Sequence, residues 1–135
     1  MYLFLQPESS LPDISGLYPF RCVIIIEEEV PFDWQSLVSK WLVKAGCLYM
    51  MAWGKDSSAW HDAVDLAMIE EFNYGNIPEE RFMMTTWHEN EQLEDVFWFA
   101  KNNAFHPNVA LRNTLILHIS RMNKEKELLA AYAAA

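Results

Sequence analysis

Glycine is scarce in this chain. Only Gly16, Gly46, Gly54 and Gly75 occur in 135 residues, and none stands in a G-x-G-x-x-G or G-x-x-x-x-G-K-[ST] pattern. Both patterns bring backbone N–H groups onto phosphates, so the usual dinucleotide and nucleoside triphosphate sites are excluded. Cysteine is scarcer still: Cys22 and Cys47 cannot make a disulfide framework, which agrees with a reducing compartment. His61, His88, His106 and His118 are scattered, with no H-E-x-x-H motif. Although His61 and Asp65 share a helix face at i, i+4, zinc would need more ligands than this pair. Neither a metal nor a cofactor is expected.

Long apolar runs are also missing, since none approaches the roughly 20 residues of a membrane span. The opening Met1-Tyr2-Leu3-Phe4-Leu5 has no basic flank and is soon broken by Gln6-Pro7-Glu8, unlike a signal peptide. The expectation is a cytoplasmic protein with no membrane partner.

Basic residues are nearly absent from the middle third. Of the net charge of −9, residues 56–96 hold eleven acids against Arg81 alone, whereas residues 97–135 hold five bases against two acids. A field of this sign repels nucleic-acid phosphates and steers a basic protein partner inward. A plainer account is that acidic helix faces keep the protein in solution.

What the chain does have is apolar mass: 52% hydrophobic residues, among them six Trp, eight Phe and five Tyr. That suffices for one domain over residues 1–135 with a core of its own. Residues 1–20, with Pro7, Pro12, Gly16 and Pro19, read as an irregular lead-in carrying a candidate edge strand at Tyr2 to Leu5.

Cys22-Val23-Ile24-Ile25-Ile26 is a continuous, largely β-branched run, as in a strand covered on both faces. Further strands are expected at residues 48–53, at 82–86 with a start at Arg81 or Phe82, and at 114–119. Between them lie helical stripes. Trp34, Leu37, Val38, Trp41, Leu42 and Ala45 repeat at helix spacing after a candidate cap, Asp33, with Gly46 placed to end the helix. Trp60, Ala63, Val64, Ala67, Met68 and Phe72 form a second stripe behind Asp56, Ser57 or Ser58, and Leu93, Val96, Phe97 and Ala100 a third. Residues 122–135 favour a C-terminal helix.

Alternation of strands and helices predicts a small three-layer α/β/α domain, flavodoxin-like or Rossmann-like, with a mostly parallel four-stranded sheet. Counting from the strand at residues 22–26, order 2-1-3-4 is the simplest doubly wound arrangement.

A parallel sheet gathers its strand ends on one edge, where open α/β folds place ligands. That edge collects Glu27 to Glu29, Trp53-Gly54-Lys55-Asp56, Trp87-His88-Glu89 and His118-Ile119-Ser120-Arg121. His88 and Glu89 are the candidate acid/base pair, yet the spacing marks no nucleophile and base, and polar residues follow any strand that ends at the surface. Strand parity places Trp53 with Tyr49 and Met51, and Trp87 opposite Met84, so the similar runs before these two Trp are shared design rather than a duplicated site.

The leading functional expectation is a non-enzymatic, acidic protein-binding module for a basic partner, in the manner of an immunity protein or antitoxin. Its candidate contacts are Trp53, Asp56, Glu70, Glu71, Trp87, His88, Glu94 and Asp95. The alternatives are a small enzyme or ligand-binding domain using the strand-end crevice, and a self-associating subunit, with Tyr132 of the Ala-rich tail packed on the domain or on a second copy.

Overall fold

The computed structural model describes residues 1–135. Five parallel strands form one sheet: β1 (Tyr2–Leu5), β2 (Phe20–Ile26), β3 (Cys47–Gly54), β4 (Met84–His88) and β5 (Asn113–Ile119). Four helices connect or follow them: α1 (Phe32–Lys44), α2 (Ser57–Glu71), α3 (Leu93–Asn102) and α4 (Glu125–Ala134). The lead-in strand thus brings the sheet to five, one more than the four expected. No helix is long and apolar enough to cross a membrane.

The spatial order is β1-β5-β2-β3-β4. This corrects the 2-1-3-4 expectation at two points: β4 lies beyond β3 and not beside β2, and β5 inserts between β1 and β2 instead of extending the sheet beyond β4. Handedness then fixes the faces. The chain steps from β2 to β3 to β4 in one direction with α1 and α2 on one face, and a right-handed return to β5 must then carry α3 across the other face.

Side-chain parity divides the core accordingly. Cys22, Ile24 and Ile26 of β2, Met50 and Ala52 of β3, and Leu115, Leu117 and Ile119 of β5 pack under Trp34, Val38, Leu42, Trp60 and Val64 of α1 and α2. The alternate residues Val23, Ile25, Tyr49, Met51 and Ile116 pack under Val96, Phe97 and Ala100 of α3 and Leu128 of α4. Trp60 alone, 1% exposed, contributes on the order of 3 kcal/mol through burial.

All four expected strands differ by one or two residues at their ends, and three local differences have a physical reason. Asp33 does not cap α1; Pro31 occupies the cap, and Asp33 lies in the first turn, where its charge meets the positive end of the helix dipole. Asp56 precedes α2 in a left-handed conformation and makes no side-chain cap bond. Strand β4 starts at Met84 rather than Arg81 or Phe82, because Pro78 leads into a 3-10 turn over Glu79–Arg81 that Phe82 closes with its N–H on the Glu79 carbonyl. Gly46 behaves as expected, closing α1 at φ +87°, and a side chain there would collide with the Tyr18 ring.

Tyr132 packs inward. Its ring meets Phe97 edge-on at 5.3 Å, Lys101 lies over it, and its hydroxyl donates to Thr114 Oγ1 at 3.2 Å. Cys22 and Cys47 are buried free thiols, and burial pushes the Cys47 pKa up to about 12. They behave as small hydrophobes at the amino ends of their strands.

Candidate functional site

Two polar assemblies occupy the carboxyl-end edge of the sheet. The first is central, where β5 is followed by α4 on one face while its neighbours β1 and β2 continue on the other. Such a reversal is where doubly wound sheets open a crevice. Here it is closed by protein. His118 of β5 is 0% exposed and pairs across the sheet with Phe4 and Ile25. One ring nitrogen, Nδ1, lies 2.7 Å from the Tyr2 hydroxyl, and Nε2 meets the Glu27 carboxylate. Lys124, entering α4, donates from Nζ to Glu27 at 2.9 Å and from its backbone N–H to the Tyr2 oxygen at 3.2 Å.

One proton arrangement satisfies all of these groups. The Lys124 amide donates to Tyr2, Tyr2 O–H donates to His118 Nδ1, and His118 Nε2–H and Lys124 Nζ both donate to Glu27. Burial works to raise the Glu27 carboxyl, but the hydrogen bonds from Lys124 and His118 outweigh it and hold the pKa below the ordinary value. The Glu27 hydrogen bond raises Lys124, and burial raises Tyr2.

Beside this network lies a cleft of about 440 Å³ whose lining includes Ile25, Glu27, Trp53, Glu91, Leu93 and Lys124. Gly54 follows Trp53 at the end of β3. At φ +107° it brings the end of β3 against β2, where the Lys55 amide reaches the Ile26 carbonyl at 2.8 Å and a Cβ would lie 2.3 Å from that oxygen. Trp53 spends its indole N–H on the Glu91 carbonyl at 2.8 Å and so pins the loop between β4 and α3.

The second assembly is at β4. His88 is buried, with Nδ1 2.9 Å from Glu91, Nε2 2.9 Å from the Thr86 hydroxyl, and the Phe99 ring edge-on to it. The partner is therefore Glu91 and not the expected Glu89, which stands exposed in the turn before α3. His88 and Glu89 do not converge on the cleft beside Trp53, and a neutral imidazole satisfies both contacts of His88. His106 is likewise occupied, bonded to the Phe82 carbonyl and to the Asn108 amide.

The parity reading of the two Trp is correct. Trp53 faces α3, while Trp87 projects to the other side, 47% exposed, and lies 4.6 Å from the His61 ring of α2. His61 lies 3.1 Å from Asp62 and 3.5 Å from Asp65, and no cluster of three or more potential ligands is assembled for a metal.

The acidic candidates do not share a single patch. Glu70 is 3.7 Å from Lys40 of α1. Glu94 and Asp95 belong to the first turn of α3, where the helix dipole favours them, and Glu94 also borders the cleft. Asp56 and Glu71 are exposed at the two ends of α2. Of the eleven acids in residues 56–96, nine are exposed and the other two, Asp65 and Glu70, half-buried.

Sequence reasoning missed Tyr2 and Lys124 as partners of His118. The only local signal was polar residues at the ends of an otherwise apolar strand. Comparisons with curated proteins and with solved structures give no match. A family model does match, over residues 1–135, and the chain belongs to that family, a domain of unknown function (DUF7684).

Proposed function

We propose that this domain is a protein-binding module that receives a basic partner through residues 56–96, on the side of the sheet where α2 and the turns flanking β4 expose their carboxylates. One observation carries the reading: none of the eleven acids in that segment is buried, although α2, β4 and α3 all build the core. Exposed apolar side chains accompany them, notably Leu66, Ile69, Phe82 and Trp87. Aromatic and aliphatic anchors surrounded by charge are what protein interfaces use, with the charge setting encounter rate and partner choice. Inhibition of a basic effector, as by an immunity protein or antitoxin, is the specific form of this role.

The test is kinetic. A partner recovered by affinity capture from native extract should associate more slowly with Asp62→Asn/Glu71→Gln/Glu79→Gln/Glu89→Gln, and its rate should depend less steeply on salt. Unchanged kinetics would leave those acids only a role in solubility.

A second reading rests on the 440 Å³ cleft at the carboxyl-end edge, where a small cationic or amphipathic ligand could meet Trp53, Glu27 and Glu94. Thermal stabilisation by such a ligand, abolished by Glu94→Gln in the cleft lining, would favour it.

A further inference from the structure

Strand β4 ends the sheet, and its outer edge pairs with no other strand. Natural edges of this kind are usually blunted by Lys, by Pro, by a bulge or by extreme shortness. The sequence Met84-Thr85-Thr86-Trp87-His88 has neither Lys nor Pro, and its register with β3 is regular from Tyr49↔Met84 to Trp53↔His88. At the opposite end of the sheet, β1 is only four residues long and is followed by Gln6-Pro7.

A groove of about 370 Å³ runs between β4 and α2, lined by Asp65, Ile69, Ile77, Phe82 and Thr85 among others. Ile77 and Phe82 continue into a second hollow that includes Glu79. Phe82, Ile69 and Trp87 are each at least 40% exposed along this side. Two carboxylates line this side, Asp65 within hydrogen-bond reach of Thr85 and Glu79 in the turn before the strand, while Asp62 pairs with His61, whose ring lies against Trp87 of β4, and Glu89 is exposed immediately after the strand.

We infer that the β4 edge is a strand-addition site that takes an extended, basic segment of the partner protein. This inference rests on the protein-binding reading above and adds how the partner is held. An added strand would satisfy the free backbone groups of β4, and every second side chain would face the α2 groove. Lys or Arg elsewhere in that segment would meet the flanking carboxylates. Charge chooses the occupant. A second copy of this chain would bring the same carboxylates against themselves, whereas a basic segment neutralises them.

A fluorescent ten-residue peptide of alternating Lys and Val is a suitable probe, tested by anisotropy against the intact domain. Its twin carries N-methyl groups on alternate residues, which remove backbone donors and leave charge and side chains unchanged. The expected result is saturable binding of the first peptide, weakened at least about tenfold by N-methylation, with slowed amide exchange confined to residues 84–88 and their neighbours. Equal binding of both peptides would overturn strand addition while leaving the acidic-face reading standing. Failure of the unmethylated peptide to bind would also overturn it, as would a dimer by sedimentation whose β4 amides are protected without any peptide. Loss of the kinetic effect of the acid-neutralising variant, with N-methyl-sensitive binding retained, would instead remove the electrostatic reading and leave the edge.

Discussion

Two strand ends of this sheet carry a histidine beside a carboxylate, and they have opposite characters. At the end of β5, His118 is wholly buried between Tyr2, Phe4, Glu27 and Lys124, and every polar atom there has a partner on a different element. At the end of β4, His88 bonds only to its own strand and the following turn, through Thr86 and Glu91. A central strand has neighbours on both sides that can enclose its polar residues. An edge strand has one, so its surroundings stay open. The central assembly therefore acts as a clasp joining the N-terminal strand, β2, β5 and the entry to α4, whereas the outer edge of β4 pairs with no strand.

The largest expected effect tests this distinction directly. His118→Ala leaves the Tyr2 hydroxyl and Glu27 without their shared partner in a buried site, and should cost about 3 kcal/mol of stability. His88→Ala should cost about 1 kcal/mol, because Glu91, with its side chain 44% exposed, turns to water. Urea unfolding with an unchanged m-value measures both. Equal losses would mean that the two ends are energetically alike and that the clasp is no clasp.

The second effect, of intermediate size, depends on pH. Glu27 has a lowered pKa in the folded state because its bonds to Lys124 and His118 outweigh burial. Its contribution is complete above the unfolded glutamate pKa and disappears as the pH falls through the lower folded value. Lys124 has a raised pKa, so its contribution is complete below the unfolded lysine value and is lost as the pH rises through the folded one. Glu27→Gln should therefore lower the melting temperature near neutral pH and flatten its decline between roughly pH 5 and pH 3. An acid limb as steep in the variant as in the parent would assign acid sensitivity to other carboxylates.

Much of the fold was legible because periodicity reports burial. The β-branched run at residues 22–26 and the stripes led by Trp34, Trp60 and Leu93 identified the covered strands and the inward helix faces, and parity separated Trp53 from Trp87. Strand order was not legible, since nothing local to residues 113–119 says that the strand returns beside β2. The site was legible only as a list of strand-end residues. Glu91 was missed because the turn at Asn90 decides which carboxylate reaches His88. The Tyr2 and Lys124 contacts were missed because they lie 116 and 97 residues from His118 and Glu27 respectively. Three-dimensional closure of the sheet creates them.

The smallest effect on stability belongs to the open end, and there smallness is the point. Asp62, Glu79 and Glu89 are exposed, and their local contacts are with His61 and Asn108 where they have any. Asp62→Asn/Glu79→Gln/Glu89→Gln should therefore change folding stability by no more than about 0.5 kcal/mol. The removal of three negative charges beside β4 should nevertheless be felt by an approaching basic molecule, through slower association and a shallower salt dependence, as exposed charges act mainly on encounter. A change in stability comparable with that of His118→Ala would show that the acids also hold the fold together. The contrast between a closed centre and an open edge would then fail at the end where the partner is expected.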